Sequence, residues 1–102
     1  MVVNIYDRFR AILEVTIVNG HKVEYEDLVD FIRLVVTFVC EEECIVYTDI
    51  KDDRSKCIEV HFTDYNYYEI DVTKEDTLIN ILDNLWGNLF MERMGDLRLK
   101  EG

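Results

Sequence analysis

The chain has 102 residues, 49% hydrophobic and 12% aromatic, with four glycines and no proline; this suits one domain folding without staples and excludes linkers and low-complexity tracts. Its net charge of −11, from 22 acidic and 11 basic residues, opposes direct nucleic-acid binding, because that affinity comes largely from Lys and Arg displacing counterions. The densest basic cluster is Arg8 and Arg10, with Asp7 beside them, so the acidity signifies solubility or a basic partner.

The opening MVVNIYDRFR lacks the basic-then-apolar pattern of a signal peptide. The longest apolar run near a helix, LVV, or LVVTFVC with Thr37 allowed, is far short of the ~20 residues that span a bilayer. Both features point to an intracellular, soluble protein with no membrane partner. VVNIY (2–6) reads as a first strand, with Asp7 opening its turn. In AILEVTIV (11–18), Leu13, Val15 and Ile17 alternate with Glu14 and Thr16, the period-two pattern of a half-buried strand. Asn19-Gly20 is a hairpin signal, since both residues tolerate positive φ, and Val23 and Tyr25 then alternate with Lys22 and Glu24 on a return strand. Leu28, Phe31, Ile32, Val35 and Val39 form a helical stripe that Asp27 is placed to cap, although LVVTFV is rich in β-branched residues. Glu41, Glu42 and Glu43 read as a solvated helix end.

The pattern then returns. At an offset of 45, CIEVHF repeats the inward and outward faces of ILEVTI: Ile58, Val60 and Phe62 stand for Leu13, Val15 and Ile17, and Glu59 for Glu14. Ile50 and Asp52 match Ile5 and Asp7, and residues 64–66 occupy the turn. At an offset of 50, Leu78, Ile81, Leu82, Leu85 and Leu89 repeat the helical stripe, with Thr73 or Thr77 as cap, Gly95 as terminator and Arg93 near the negative end. The spacing predicts an α+β fold made by tandem duplication of a βββα motif. Two antiparallel three-stranded units, each with one helix, cover about 2–43 and 44–94, followed by a short tail over 95–102. A unit of roughly 45 residues buries little core alone, so the two are expected to pack as a single domain about a pseudo-twofold axis.

The length, the acidity and the paired stretches ILEVTI and CIEVHF resemble a small orphan protein of filamentous archaeal viruses, the lipothrixvirus group of Acidianus filamentous virus type. The resemblance covers the whole chain without a signature motif. It implies a host-cell cytoplasmic setting and no transferable catalytic residues. It also leaves open the redox state of Cys40, Cys44 and Cys57, because cytosolic proteins of hyperthermophiles can carry disulfides.

No constellation spells out a chemistry. Cys57 and His61 lie four apart on one predicted strand, roughly 13 Å between Cα atoms, too far to share a tetrahedral zinc with Cys40 and Cys44. DIKDDRS offers Asp49, Asp52 and Asp53 but places Lys51 and Arg54 where an EF-hand needs an oxygen ligand and a glycine. Gly20 belongs to a hairpin and Gly87 to a helix, where it would permit close packing; phosphate-cradling glycine motifs are absent. The reading is therefore of no metal and no cofactor. Glu14 and Glu59 are equivalents across the predicted axis, and paired carboxylates can share a proton, but Glu on the polar face of a strand is ordinary. Tyr68 is expected inward with Ile70, whereas Tyr65 and Tyr67 fall at the hairpin turn and suit a binding surface. The function expected is a non-enzymatic protein-interaction module that binds an extended peptide in a groove between the motifs through Glu14, Glu59, His61, Tyr65 and Tyr67. An acidic DNA mimic and a carboxylate-dependent hydrolase are the alternatives.

Overall fold

The computed structural model describes residues 5–19, 27–50, 52 and 54–101. In chain order they form α1 (Ile5–Asn19), α2 (Leu28–Cys40), β1 (Cys44–Ile50), β2 (Ser55–Phe62), β3 (Tyr67–Thr73), α3 (Leu78–Leu85), a π-helical turn (Trp86–Phe90) and α4 (Met91–Glu101).

The strands form one antiparallel meander of order β1–β2–β3. Alternation sends Ile58, Val60 and Phe62 of β2, and Tyr68, Ile70 and Val72 of β3, to the same side, where all six are buried. The helices cover that face: α2 packs on β1, while α3 and the π turn pack on β3. Among the described residues nothing covers the other face, where Ile45, Tyr47 and Tyr67 stand exposed. Ile32, Val35, Val36, Val39 and Cys40 of α2 are buried, so burying this stripe outweighs the weak strand preference of its valines. Leu78, Ile81, Leu82 and Leu85 do the same for α3. Its first turn is closed by Thr77, whose hydroxyl accepts from the Asn80 amide at 3.2 Å; Asp27 makes no such bond at the start of α2.

The tandem duplication is not what the chain builds. The second half does contain three strands and a helix, but the described residues of the first half form two helices, giving among the described residues the order ααβββα and a single sheet. AILEVTIV lies within α1 and is not a strand. There Ile5 and Phe9 are buried, with Ile12 and Leu13 packed against the core, a spacing of four, three and one that fits 3.6 residues per turn. Val15, which a strand would have turned inward, is 53% exposed. Phe9 lies 4.8 Å from Trp86 and 5.4 Å from Phe90 between ring centroids, so aromatic packing on the π turn anchors α1. Asp7 sits in the first helical turn instead of opening a hairpin. Residues 2–4, Gly20 and the return strand with Val23 and Tyr25 lie outside the described residues.

Two glycine readings change as well. Gly95 falls inside α4, which continues to Glu101 through most of the expected tail, and a Cβ at Gly87 would meet no atom within 4 Å, so close packing does not explain it.

Candidate functional site

The solvent face of the sheet is assembled by cross-strand register. Ile45, His61 and Tyr67 form one row across the three strands, and Tyr47, Glu59 and Glu69 form the next. His61 is the centre. Its ring stacks on Tyr67 at 5.0 Å and 11°, and meets Tyr47 edge-on at 5.0 Å and 87°. Its Nε2 is 2.9 Å from Oε1 of Glu59. Ile45, Tyr47 and Tyr67 are each more than half exposed, although apolar side chains on the outer face contribute nothing to the core. The result is an aromatic strip flanked by carboxylates, suited to a cation that both stacks on a ring and pairs with an acid.

Beside this strip stands the β2–β3 hairpin. Its connection is Thr63–Asp64–Tyr65, closed by the Tyr65 amide donating to the Phe62 carbonyl at 3.2 Å and the Phe62 amide to the Asn66 carbonyl at 3.0 Å. Three-residue hairpins end on a left-handed residue, where glycine is usual. Here that residue is Tyr65, with φ of 71° and 95% exposure. Neither backbone preference nor packing favours a tyrosine at that position.

A buried arginine holds the hairpin in place. Arg93 of α4 is 1% exposed. It grips the Glu42 carboxylate with Nε (3.0 Å) and Nη2 (2.5 Å), donates from Nη1 to Asp64 Oδ2 at 2.7 Å, and lies 4.1 Å above the Phe62 ring. Burial alone would depress its pKa, but hydrogen bonds with Glu42, Tyr68 and Asp64 outweigh this and raise it, so the guanidinium stays charged. Tyr68 donates to Asp96 Oδ2 at 2.5 Å; desolvation, aided by this bond, pushes the phenol up to about 12. Arg93 is thus no helix-end charge but the tie between α4, the α2–β1 connection and the hairpin tip. The glutamates after α2 are correspondingly more than a solvated end: Glu42 binds Arg93, and Glu41, left-handed at φ 52°, pairs with Arg8 at 2.6 Å.

At the end of the sheet where β1 begins and β2 finishes, an open groove of about 340 Å³ is lined by Thr37, Glu43, Cys44, Ile45, His61, Phe62 and Thr63. Cys44 Sγ is 3.9 Å from Thr37 Oγ1 inside it, and burial raises the thiol pKa. The three cysteines are free thiols, with Cys40 buried and pushed up to about 12 by desolvation. Among the described residues, no group of three His, Cys, Asp or Glu side chains is placed to hold a metal ion.

Of the residues singled out from sequence, the structure brings Glu59, His61 and Tyr67 into one cluster and sets Tyr65 at the adjoining tip. Glu14 is not part of it: it lies on α1 in the helical layer, where it pairs with Arg10 at 3.3 Å. With the duplication gone, the seam between two motifs and the pairing of Glu14 with Glu59 across an axis go too. Sequence reasoning missed Tyr47, Ile45 and Glu69. The signal was present in CIVYTDI, where alternation puts Ile45, Tyr47 and Asp49 on one side and Val46 on the other.

In comparisons with known proteins, no family model, no curated sequence and no solved structure matches the chain.

Proposed function

We propose that the protein is a non-enzymatic interaction module that takes a basic, extended segment of a partner protein on the open face of its sheet. The observation that carries the reading is the exposed Tyr47–His61–Tyr67 strip with Glu59 and Glu69 beside it. Large aromatics out of the core cost solubility, and here they meet in a defined geometry, with Tyr67 stacked on His61 and Tyr47 edge-on to it. The occupant follows from charge. A chain of net charge −11 attracts cations, and an Arg or Lys over a tyrosine face gains about 0.5–2 kcal/mol beyond its ion pair. The His61–Glu59 pair has the form of an oriented base, but Cys57, the thiol on the same strand face, lies roughly 13 Å along the strand, too far for His61 to activate it.

An extended peptide loses conformational entropy on docking, so roughly micromolar affinity is expected. The setting remains the host-cell cytoplasm that the viral resemblance implies; no helix among the described residues is long and apolar enough to cross a membrane. Selection from a random peptide library against the purified protein tests the reading. Enrichment of Arg- or Lys-containing sequences, lost in Glu59→Gln and Tyr67→Ala, supports it. Enrichment indifferent to both substitutions, or none at all, refutes it.

A further inference from the structure

The groove at the end of the sheet adds a second requirement for the partner, resting on the open-face reading above. Ile45 and His61 line this groove and also belong to the aromatic strip, so the two features form one continuous surface. Along the strands the order is fixed. The row Tyr47–Glu59–Glu69 comes first, the row Ile45–His61–Tyr67 lies two residues further on, and the groove opens just beyond it at Cys44 and Phe62. An extended chain advances about 7 Å per two residues, and residues i and i+2 face the same way. A segment lying along β1 and β2 with its cation at Glu59 therefore presents the residue two positions away over Ile45 and His61, at the mouth of the groove.

We propose that the groove takes an aromatic or branched aliphatic side chain set two residues from the partner's Arg or Lys. The recognition element is then an apolar residue and a basic residue separated by one position. The lining suits such an anchor: Phe62, Ile45 and the Cys44 thiol provide apolar walls, while charge is confined to Glu43, with His61 on the strip side. A volume of about 340 Å³ lies at the small end of the range for ligand sites, enough for a large side chain and not for a folded element. Glu43, like Glu59, favours a segment carrying positive charge and no acid.

The test is an array of extended peptides with one fixed arginine in a Gly-Ser background and one phenylalanine at spacings of one, two and three. Spacing two is expected to bind at least tenfold more tightly than the others. Thr37→Trp, at an exposed position of α2 where a large side chain fills the groove, is expected to erase the spacing preference while keeping the arginine dependence that Glu59→Gln removes. Circular dichroism checks that both variants fold. In the wild-type protein, saturating peptide should slow alkylation of Cys44, read by mass spectrometry, at least fivefold. Arginine-dependent binding with no spacing preference, or with Cys44 still freely alkylated, overturns this inference and leaves the open-face reading standing. Absence of any arginine-dependent binding overturns both.

Discussion

Four residues matter more to the fold than their chemistry suggests, the first being Arg93. Removing its guanidinium takes the cation from two carboxylates, Glu42 and Asp64, of which 28% and 20% of the side chains reach solvent, and uncovers one face of Phe62, while Asp64 keeps its bonds from Asn66. Loss of one partner from a buried ion pair typically costs 3–5 kcal/mol; with the acids partly hydrated, Arg93→Ala is expected to cost about 3 kcal/mol in urea unfolding. Arg93→Lys should restore only a fraction of this, since an ammonium cannot make the two-point grip on Glu42. Tyr65 is the reverse case. A left-handed conformation costs a residue with a Cβ about 1–2 kcal/mol, and glycine relieves this while adding chain entropy to the unfolded state. Tyr65→Gly should thus stabilise the fold by about 0.5–1 kcal/mol while weakening peptide binding; unchanged stability would mean the turn is unstrained. Tyr68 and Cys40 set the alkaline limit. Desolvation raises both folded-state pKa values to about 12, from 10.0 and 9.0, so both protons are kept by the folded chain and lost first by the unfolded one. Their contribution is whole below pH 9 and disappears as pH climbs toward 12, so thermal stability should decline across that interval. Tyr68→Phe, which has no phenol to ionise, should flatten the upper part of the decline above pH 10.

At the level of elements, helix starts provide a paired comparison. Thr77→Ala removes the cap on Asn80 and should cost about 1 kcal/mol, whereas Asp27→Ala, with no capping bond to lose, should shift stability by a few tenths at most. Equal effects would contradict the capping geometry. The elements also show what could be read in advance. Both helical stripes, Leu28 to Val39 and Leu78 to Leu89, were legible because 3.6-residue spacing and burial agree over three or more turns. The strands of the second half were legible for the matching reason: Ile58, Val60 and Phe62 alternate without exception. α1 was not. Leu13, Val15 and Ile17 satisfy period two over too short a window to exclude a helix. The decisive pattern, Ile5, Phe9 and Ile12, begins earlier and is confirmed only by Trp86 and Phe90 some eighty residues on. The likeness of ILEVTI to CIEVHF is real in letters, yet one is helix and the other strand, because what each can bury against decides its conformation. The π turn, where Leu89 and Phe90 are both buried, had no sequence signal that we can name.

For the whole molecule, helices cover one face of a three-stranded sheet and, among the described residues, leave the other exposed, so a partner that reads outward side chains of the strands meets them on that face. The candidate site was half legible. Glu59, His61, Tyr65 and Tyr67 follow from alternation and turn position within one hairpin, while Tyr47 joins them through the β1–β2 register, which a sequence read as two repeats had no means to supply. Arg93 could not be foreseen as the support for Tyr65, because its partners Glu42 and Asp64 lie 51 and 29 residues away. The central claim, that the open face is where a basic segment docks, is tested most directly by following backbone amide shifts of the labelled protein while the most enriched basic peptide is titrated in. Perturbations are expected to concentrate on Ile45, Tyr47, Glu59, His61, Tyr67 and Glu69, and to be absent in Tyr67→Ala. Shifts confined to the helical layer around α1 and α4, with the sheet face silent, would contradict it.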